Sequence, residues 1–236
     1  MITHRGARNE VALISSFAIP VFLSGLLVPP ATWLANTILV NQHDGYVQLA
    51  IYTGAQQWMV LVCAAPSLLL SVALPILSNT AITQASTQFR ALALKLICGL
   101  GALAGAVSIA VGAFAPLLMQ IYGAEYRANA VVLRLVLING ILSTIGSAIR
   151  VVVMTSSRQW LATVCYLFYA SSSTLAMLAL RDSGAVGRAW AGIVGDVALV
   201  ASLSFLTFRI ITISAQESGN GALQGTSQPC VSHNSL

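Results

Sequence analysis

Six long apolar runs follow one another along this chain, separated by connections of only a few polar residues. That pattern limits the fold more than any other feature. The runs are about Val11–Leu39, Val47–Leu77, Leu92–Leu118, Ala128–Met154, Trp160–Leu180 and Ala185–Ile213. Each reaches or exceeds the roughly 20 residues that a helix needs to cross the hydrocarbon of a bilayer. Charge agrees: 7% of residues are charged and 57% are hydrophobic, where a soluble domain carries about 25% charged residues. The expected fold class is therefore an all-α integral membrane protein of six transmembrane helices.

The connections, "NQHDGY", "SNTAITQASTQ", "YGAEY", "TSSRQ" and "RDSG", are short enough to make consecutive spans antiparallel neighbours. The first two runs are longer than a bilayer requires, so they are expected to tilt, kink or protrude. Pro20, Pro29 and Pro30 in the first run, Pro66 and Pro75 in the second and Pro116 in the third mark kink sites. The basic start "MITHRGARNE" could pass for the head of a signal peptide, but no small-x-small cleavage site precedes a soluble domain. Residues 1–10 read instead as a cytoplasmic N-terminus and residues 11–213 as one transmembrane domain. The polar tail 214–236, rich in Ser, Gly, Asn and Gln without periodicity, is expected to be disordered.

Loop charge sets orientation. With the N-terminus in the cytoplasm, Arg5, Arg8, Arg90, Lys95, Arg150, Arg158 and Arg209 fall on the inner side. Arg127, Arg134, Arg181 and Arg188 fall on the outer side. The excess of inner positives predicts that both termini are cytoplasmic.

Several function classes drop out. The net charge of +5 is spread singly between apolar segments, so nucleic acid is not an expected partner. Cys63, Cys98, Cys165 and Cys230 show no CxxC or Cys/His spacing, so neither metal nor disulfide is expected. The histidines, His4, His43 and His233, lie in termini or a loop, and no connection is long enough to build an aqueous active site. No enzyme and no cofactor is implied.

The informative residues are ionisable groups inside the spans, which are rare and functional by default. They are Lys95, Arg134, Asp196 and, near an inner helix end, Arg150. Counted from their loops, Arg134 and Asp196 each lie about ten residues in, about 15 Å along a helix. That predicts a mid-membrane ion pair. The alternative has Arg134 snorkelling outward while Asp196 stays neutral or caps a kink at Gly195. Asn139, Ser143, Ser147 and Arg150 share one face of the fourth helix. Gln48, Tyr52 and Gln56 form a polar stripe on the second, near Asn36 and Gln57, suited to a hydroxylated ligand or equally to bonds between helices. Lys95, Gly99, Ala102 and Ala106 form a small-residue face on the third, directed to protein or cavity; Gly101 and Gly105 add GxxxG spacing. Trp33, Trp160 and Trp190 suit an interfacial belt.

"FAIPVFLSGLLVPPATWLANTIL", "GYVQLAIYTGAQQWMVLVCAAPSLLLSVALPILSN" and "LLMQIYGAEYRANAVVLRLV" together resemble the O-antigen and polysaccharide flippases of the MOP exporter superfamily, as does "GAVGRAWAGIVGD" before the last span. The likeness runs from about Glu10 to Ile213 and is to the carboxyl-terminal six-helix lobe alone. It implies translocation of a polyprenyl-diphosphate-linked oligosaccharide across a bacterial inner membrane, for O-antigen or surface-polysaccharide synthesis. Lys95, Arg134 and Arg150 would then attract the diphosphate, and Gln48, Tyr52 and Gln56 would meet sugars. Asp196 would pair with Arg134 or couple transport to an ion gradient. Besides membrane lipids, the partners implied are the lipid-linked glycan and a second lobe, either a separate amino-terminal one or a second copy, unless the gene is truncated. The competing readings are a lobe of a MATE-like or lipid-precursor exporter, or a structural membrane remnant that transports nothing.

Overall fold

Pro20 sits in the first turn of the first helix, where a missing N–H removes no intrahelical bond, and α1 runs Ile19–Val40. It carries Pro29 and Pro30 at its centre and ends at Asn41, whose N–H returns to the Thr37 carbonyl at 3.2 Å. The computed structural model describes residues 15, 18–83, 86–154 and 159–225. After α1 come α2 (Gly45–Thr83), α3 (Ser86–Ala113), the short α4 (Ala115–Gln120) and a 3₁₀ turn at Ala124–Asn129. Then follow α5 (Ala130–Met154), α6 (Gln159–Ala179), a second 3₁₀ turn at Arg181–Ser183 and α7 (Gly184–Gly225). The stretches Ile19–Val40, Gly45–Pro75, Ala91–Ala113, Tyr126–Met154, Gln159–Ala179 and Arg181–Thr207 are long and apolar enough to cross a bilayer. The protein is an all-α, multi-pass membrane protein.

Two boundaries differ from those read in the sequence. The third run, expected to continue to Leu118, breaks at Phe114. Pro116 has no N–H for the Gly112 carbonyl and its ring crowds that turn, so α4 starts afresh with the proline in its first turn. At the other end, α7 passes Ile213 and runs to Gly225, so residues 214–225 are helical where the sequence suggested no regular structure. Ala215, Glu217, Ala222 and Leu223 are good helix formers, and a helix already nucleated extends at low cost. The N-terminus 1–10 with Arg5 and Arg8, Arg158, Cys230 and the rest of the tail lie outside the described residues.

Helix α5 is the hub. It packs against α2, α3 and α7, while α6 bridges α7 and α1. Of its most apolar stretch 56% is buried, against 11% for α2. One cluster joins Leu133, Val136 and Leu137 of α5 to Ile51 and Ala55 of α2 and to Ala189 and Ile193 of α7. A second joins Ile149 and Val153 to Cys165 and Tyr166 of α6 and to Leu199 and Leu203 of α7. Lipid tails are as apolar as leucine, so close approach and fit hold such helices together more than exclusion from water does. Glycines make the approach possible. A Cβ at Gly192 of α7 would stand 2.7 Å from Asn139 Nδ2, and one at Gly195 would stand 2.9 Å from Ser173 Cβ.

On α3 only part of the expected small-residue packing is met within the bundle. Gly101 approaches Ile145 of α5, whereas a Cβ on Gly99 or Gly105 would meet open space. Lys95, Gly99, Ala102 and Ala106 are all exposed on the described bundle.

Candidate functional site

The charged interior is assembled by three helices, and its centre is Arg188, which loop charge assigns to the outer side of the membrane. Arg188, one turn into α7, is 4% exposed. Its Nε donates to Asn36 Oδ1 of α1 at 3.0 Å. Its guanidinium lies 4.7 Å from the centre of the Tyr52 ring on α2, a cation–π distance. Two turns further along α7, Asp196 is 6% exposed and interacts electrostatically with Arg188. A buried arginine and a buried acidic residue thus lie on one helix in the same interior, with no ion pair within 4 Å between them among the described residues.

Gln48 closes the same end. Its Oε1 accepts the Ala185 N–H at 2.9 Å, one of the amides that a helix N-terminus leaves without an intrahelical partner. Gly184, with φ of 57°, makes the turn that brings this amide round. Gln48 and Tyr52 are therefore engaged between helices, the second of the two uses their spacing allowed. Gln56 is half-buried one turn on, and Gln57 Oε1 accepts the Tyr122 hydroxyl at 2.9 Å.

Arg150 is built to the same plan at the other end of α5. It lies 5.1 Å from the centre of the Tyr166 ring of α6, and its Nη2 donates to Ser24 Oγ of α1 at 3.4 Å. Here, however, the arginine is half-exposed and its hydrogen-bond partner is a neutral hydroxyl. Among the described residues no carboxylate lies within 4 Å of it: the ion pairs, His43–Asp44 and Arg181–Asp182, both fall in connections.

One turn before Arg150, Ser147 and then Ser143 and Thr144 line a cavity of about 130 Å³. Its other wall is α2, with Cys63, Pro66, Ser67 and Leu70. Thr144 Oγ1 donates to the Gly140 carbonyl at 2.8 Å, so its own polarity is satisfied along the helix. Of the face Asn139–Ser143–Ser147–Arg150, the two serines open into this cavity and Asn139 turns into α7 against Gly192.

The remaining candidates lie elsewhere. Arg134 is one turn into α5, exposed, with Nε 3.4 Å from the Gly112 carbonyl of α3. Asp196 is three turns into α7, and no ion pair within 4 Å joins the two among the described residues. The equal depth expected for them came from counting along the run, and the 3₁₀ turn at Ala124–Asn129 takes up the first part of that count. Lys95 is exposed on α3.

Sequence reasoning passed over Arg188, Tyr166 and Ser24. Arg188 carried a signal: it precedes Asp196 on the same helix by two turns, close to one face. Tyr166 and Ser24 carried none, since both are ordinary residues of apolar helices whose value comes from what they touch. Among the described residues no three His, Cys, Asp or Glu side chains gather as metal ligands.

No protein-family profile matches the chain, and no solved structure matches it. Two curated proteins do. The EPS I polysaccharide export inner membrane protein EpsE of Ralstonia nicotianae is 27% identical over 195 residues, covering 78% of this chain and 43% of that protein. The protein of the same name from Ralstonia solanacearum is 26% identical over 182 residues, covering 73% of this chain and 41% of that protein. The chain thus spans about two fifths of the length of curated relatives that are named for polysaccharide export at the inner membrane.

Proposed function

We propose that this six-helix unit is one lobe of a polysaccharide exporter of the bacterial inner membrane, and that the species moved is a polyprenyl-diphosphate-linked oligosaccharide. The observation that carries this reading is the alignment of 78% of the chain with a protein named for polysaccharide export. The electrostatics support it. Arg150 is a half-buried guanidinium with no carboxylate partner within 4 Å among the described residues, and such a group favours a multiply charged anion such as a diphosphate. The hydroxyls of Ser143 and Ser147 lie next to it on the same helix and face a cavity.

In this reading a second lobe, a separate chain or a second copy, supplies the other wall of the path. Both termini lie in the cytoplasm, and the unit translocates its glycan without catalysing bond chemistry. Arg188 holds α1, α2 and α7 together, and Arg150 meets the substrate.

Complementation tests it. A bacterium lacking its polysaccharide flippase is given this chain alone, and then this chain with a separately expressed amino-terminal lobe, and surface polysaccharide is scored. Glycan display is expected once a second lobe is present, and its loss is expected with Arg150→Gln. Absence of display in every combination, with the protein in the membrane, would overturn the transport reading.

A further inference from the structure

Arg134 belongs to neither of the two interior arginine sites. Helix α3 stops at Ala113 because Pro116 cannot donate to the Gly112 carbonyl, and Arg134 Nε provides a donor for that carbonyl at 3.4 Å. This one long bond uses one of the five N–H groups of the guanidinium. Its two terminal nitrogens have no hydrogen-bond or ion-pair partner among the described residues.

The surroundings are apolar and open. Phe114 and Leu117 are each 62% exposed, Ile121 is 71% exposed and Val131 is 53% exposed. All four lie in the elbow where α3, α4 and α5 meet, at the ends of the spans Ala91–Ala113 and Tyr126–Met154. A permanent cation bonded to the last turn of α3, beside an elbow that carries exposed hydrophobic side chains at the end of a span, matches the level where acyl chains give way to headgroups. At that level a long basic side chain keeps its stem in the apolar layer and its charge among phosphates.

The geometry points to a phospholipid site on this elbow: the Arg134 guanidinium holds the phosphate of one bilayer lipid, whose acyl chains lie on Phe114, Leu117 and Ile121. Charge complementarity selects this occupant over a second protein. A protein partner would have to bring a carboxylate to this level, where the bilayer already presents phosphate, and the bidentate fork of arginine suits that group. The site needs no second lobe and is independent of what the protein transports.

Native mass spectrometry of the purified full chain in detergent tests it, with three probes titrated in turn. Phosphatidylglycerol carries phosphate and chains, diacylglycerol carries chains alone, and glycerol phosphate carries the headgroup alone. The first phosphatidylglycerol is expected to bind about tenfold more weakly to Arg134→Gln, the loss expected for a charge-assisted hydrogen bond. Arg134→Lys is expected to retain most of it, and diacylglycerol binding is expected to be equal in all three proteins. Equal phosphatidylglycerol binding by wild type and Arg134→Gln would overturn the site. So would glycerol phosphate binding as tightly as the lipid, which would mark a free-phosphate site. A change in the number of chains per complex on Arg134→Gln, with lipid binding intact, would assign the patch to a second copy. Should the variants fail to fold, wild-type protein labelled by phosphatidylglycerol with a photoreactive group beside the phosphate decides the matter. Label is expected in residues 112–134, and label confined to other segments would overturn the proposal.

Discussion

Two arginines hold α1 from opposite ends, and the same three parts serve different ends. Arg188 and Arg150 each stack on a tyrosine and donate to a polar side chain of α1, Asn36 in one case and Ser24 in the other. Arg188 is 4% exposed, its bond is 3.0 Å long, and the buried Asp196 lies two turns along the same helix, outside 4 Å of it. Arg150 is half-exposed, its bond is 3.4 Å long, and no acid stands within 4 Å among the described residues. Burial, not residue type, separates the two. A guanidinium sealed among helices is out of a ligand's reach, and a half-exposed one is not.

The largest effect expected is at the buried arginine. Arg188→Met removes the donor to Asn36 Oδ1 and the cation over the Tyr52 ring, and should lower stability in detergent by about 2–4 kcal/mol. Thermal unfolding followed by tryptophan fluorescence would measure it, and Arg188→Met with Asp196→Asn should recover part of the loss. A double variant no more stable than the single one would mean that the two charges are not coupled.

Next comes the close contact that seats α5 on α7. Gly192→Leu drives a branched side chain into Asn139, which should cost about 1–3 kcal/mol by overpacking. Gly99→Leu, placed where a Cβ meets open space, should change the unfolding temperature little, and the contrast between them checks the packing. Smaller again is Gln48→Ala, which removes the acceptor for the Ala185 N–H and should cost about 1 kcal/mol, as the loss of a helix N-cap does.

Arg150→Gln should be the mildest for the fold, about 0.5–1 kcal/mol for an exposed cation–π contact, and the most severe for glycan export. That split between stability and transport is the sharpest form of the comparison. If Arg150→Gln unfolds the protein as Arg188→Met does, the two sites are both braces. If it leaves export intact, the anion is held elsewhere.

Most of the architecture was legible in the chain. Uninterrupted apolar runs force helices because lipid offers no partner for backbone N–H and C=O groups. The spans Gln159–Ala179 and Tyr126–Met154 match the runs read from residues alone to within a few positions at each end. The break at Phe114 follows from Pro116, yet kink, tilt and rupture all answer to the same proline, so its position in the run does not tell them apart. The continuation of α7 to Gly225 through polar residues was hidden because composition describes an average, whereas a helix end depends on whether the preceding turn is already formed.

The candidate site was less legible. Asp196, Arg150 and the face bearing Ser143 and Ser147 could be picked out because charge and hydroxyls are conspicuous in apolar helices. Which arginine faces Asp196 could not. Helical periodicity gives each residue an angle about its own axis, but no sequence period reports which neighbouring helix stands at that angle. Span number, connection length and the rarity of buried charge are local properties of the chain and follow from the order of its residues alone. Tertiary packing alone decided that Arg188 turns inward to Asn36 and Tyr52 while Arg134 stays outside on the Gly112 carbonyl. The free energy of a guanidinium depends on the few groups within about 4–6 Å of it, and here those groups come from other helices.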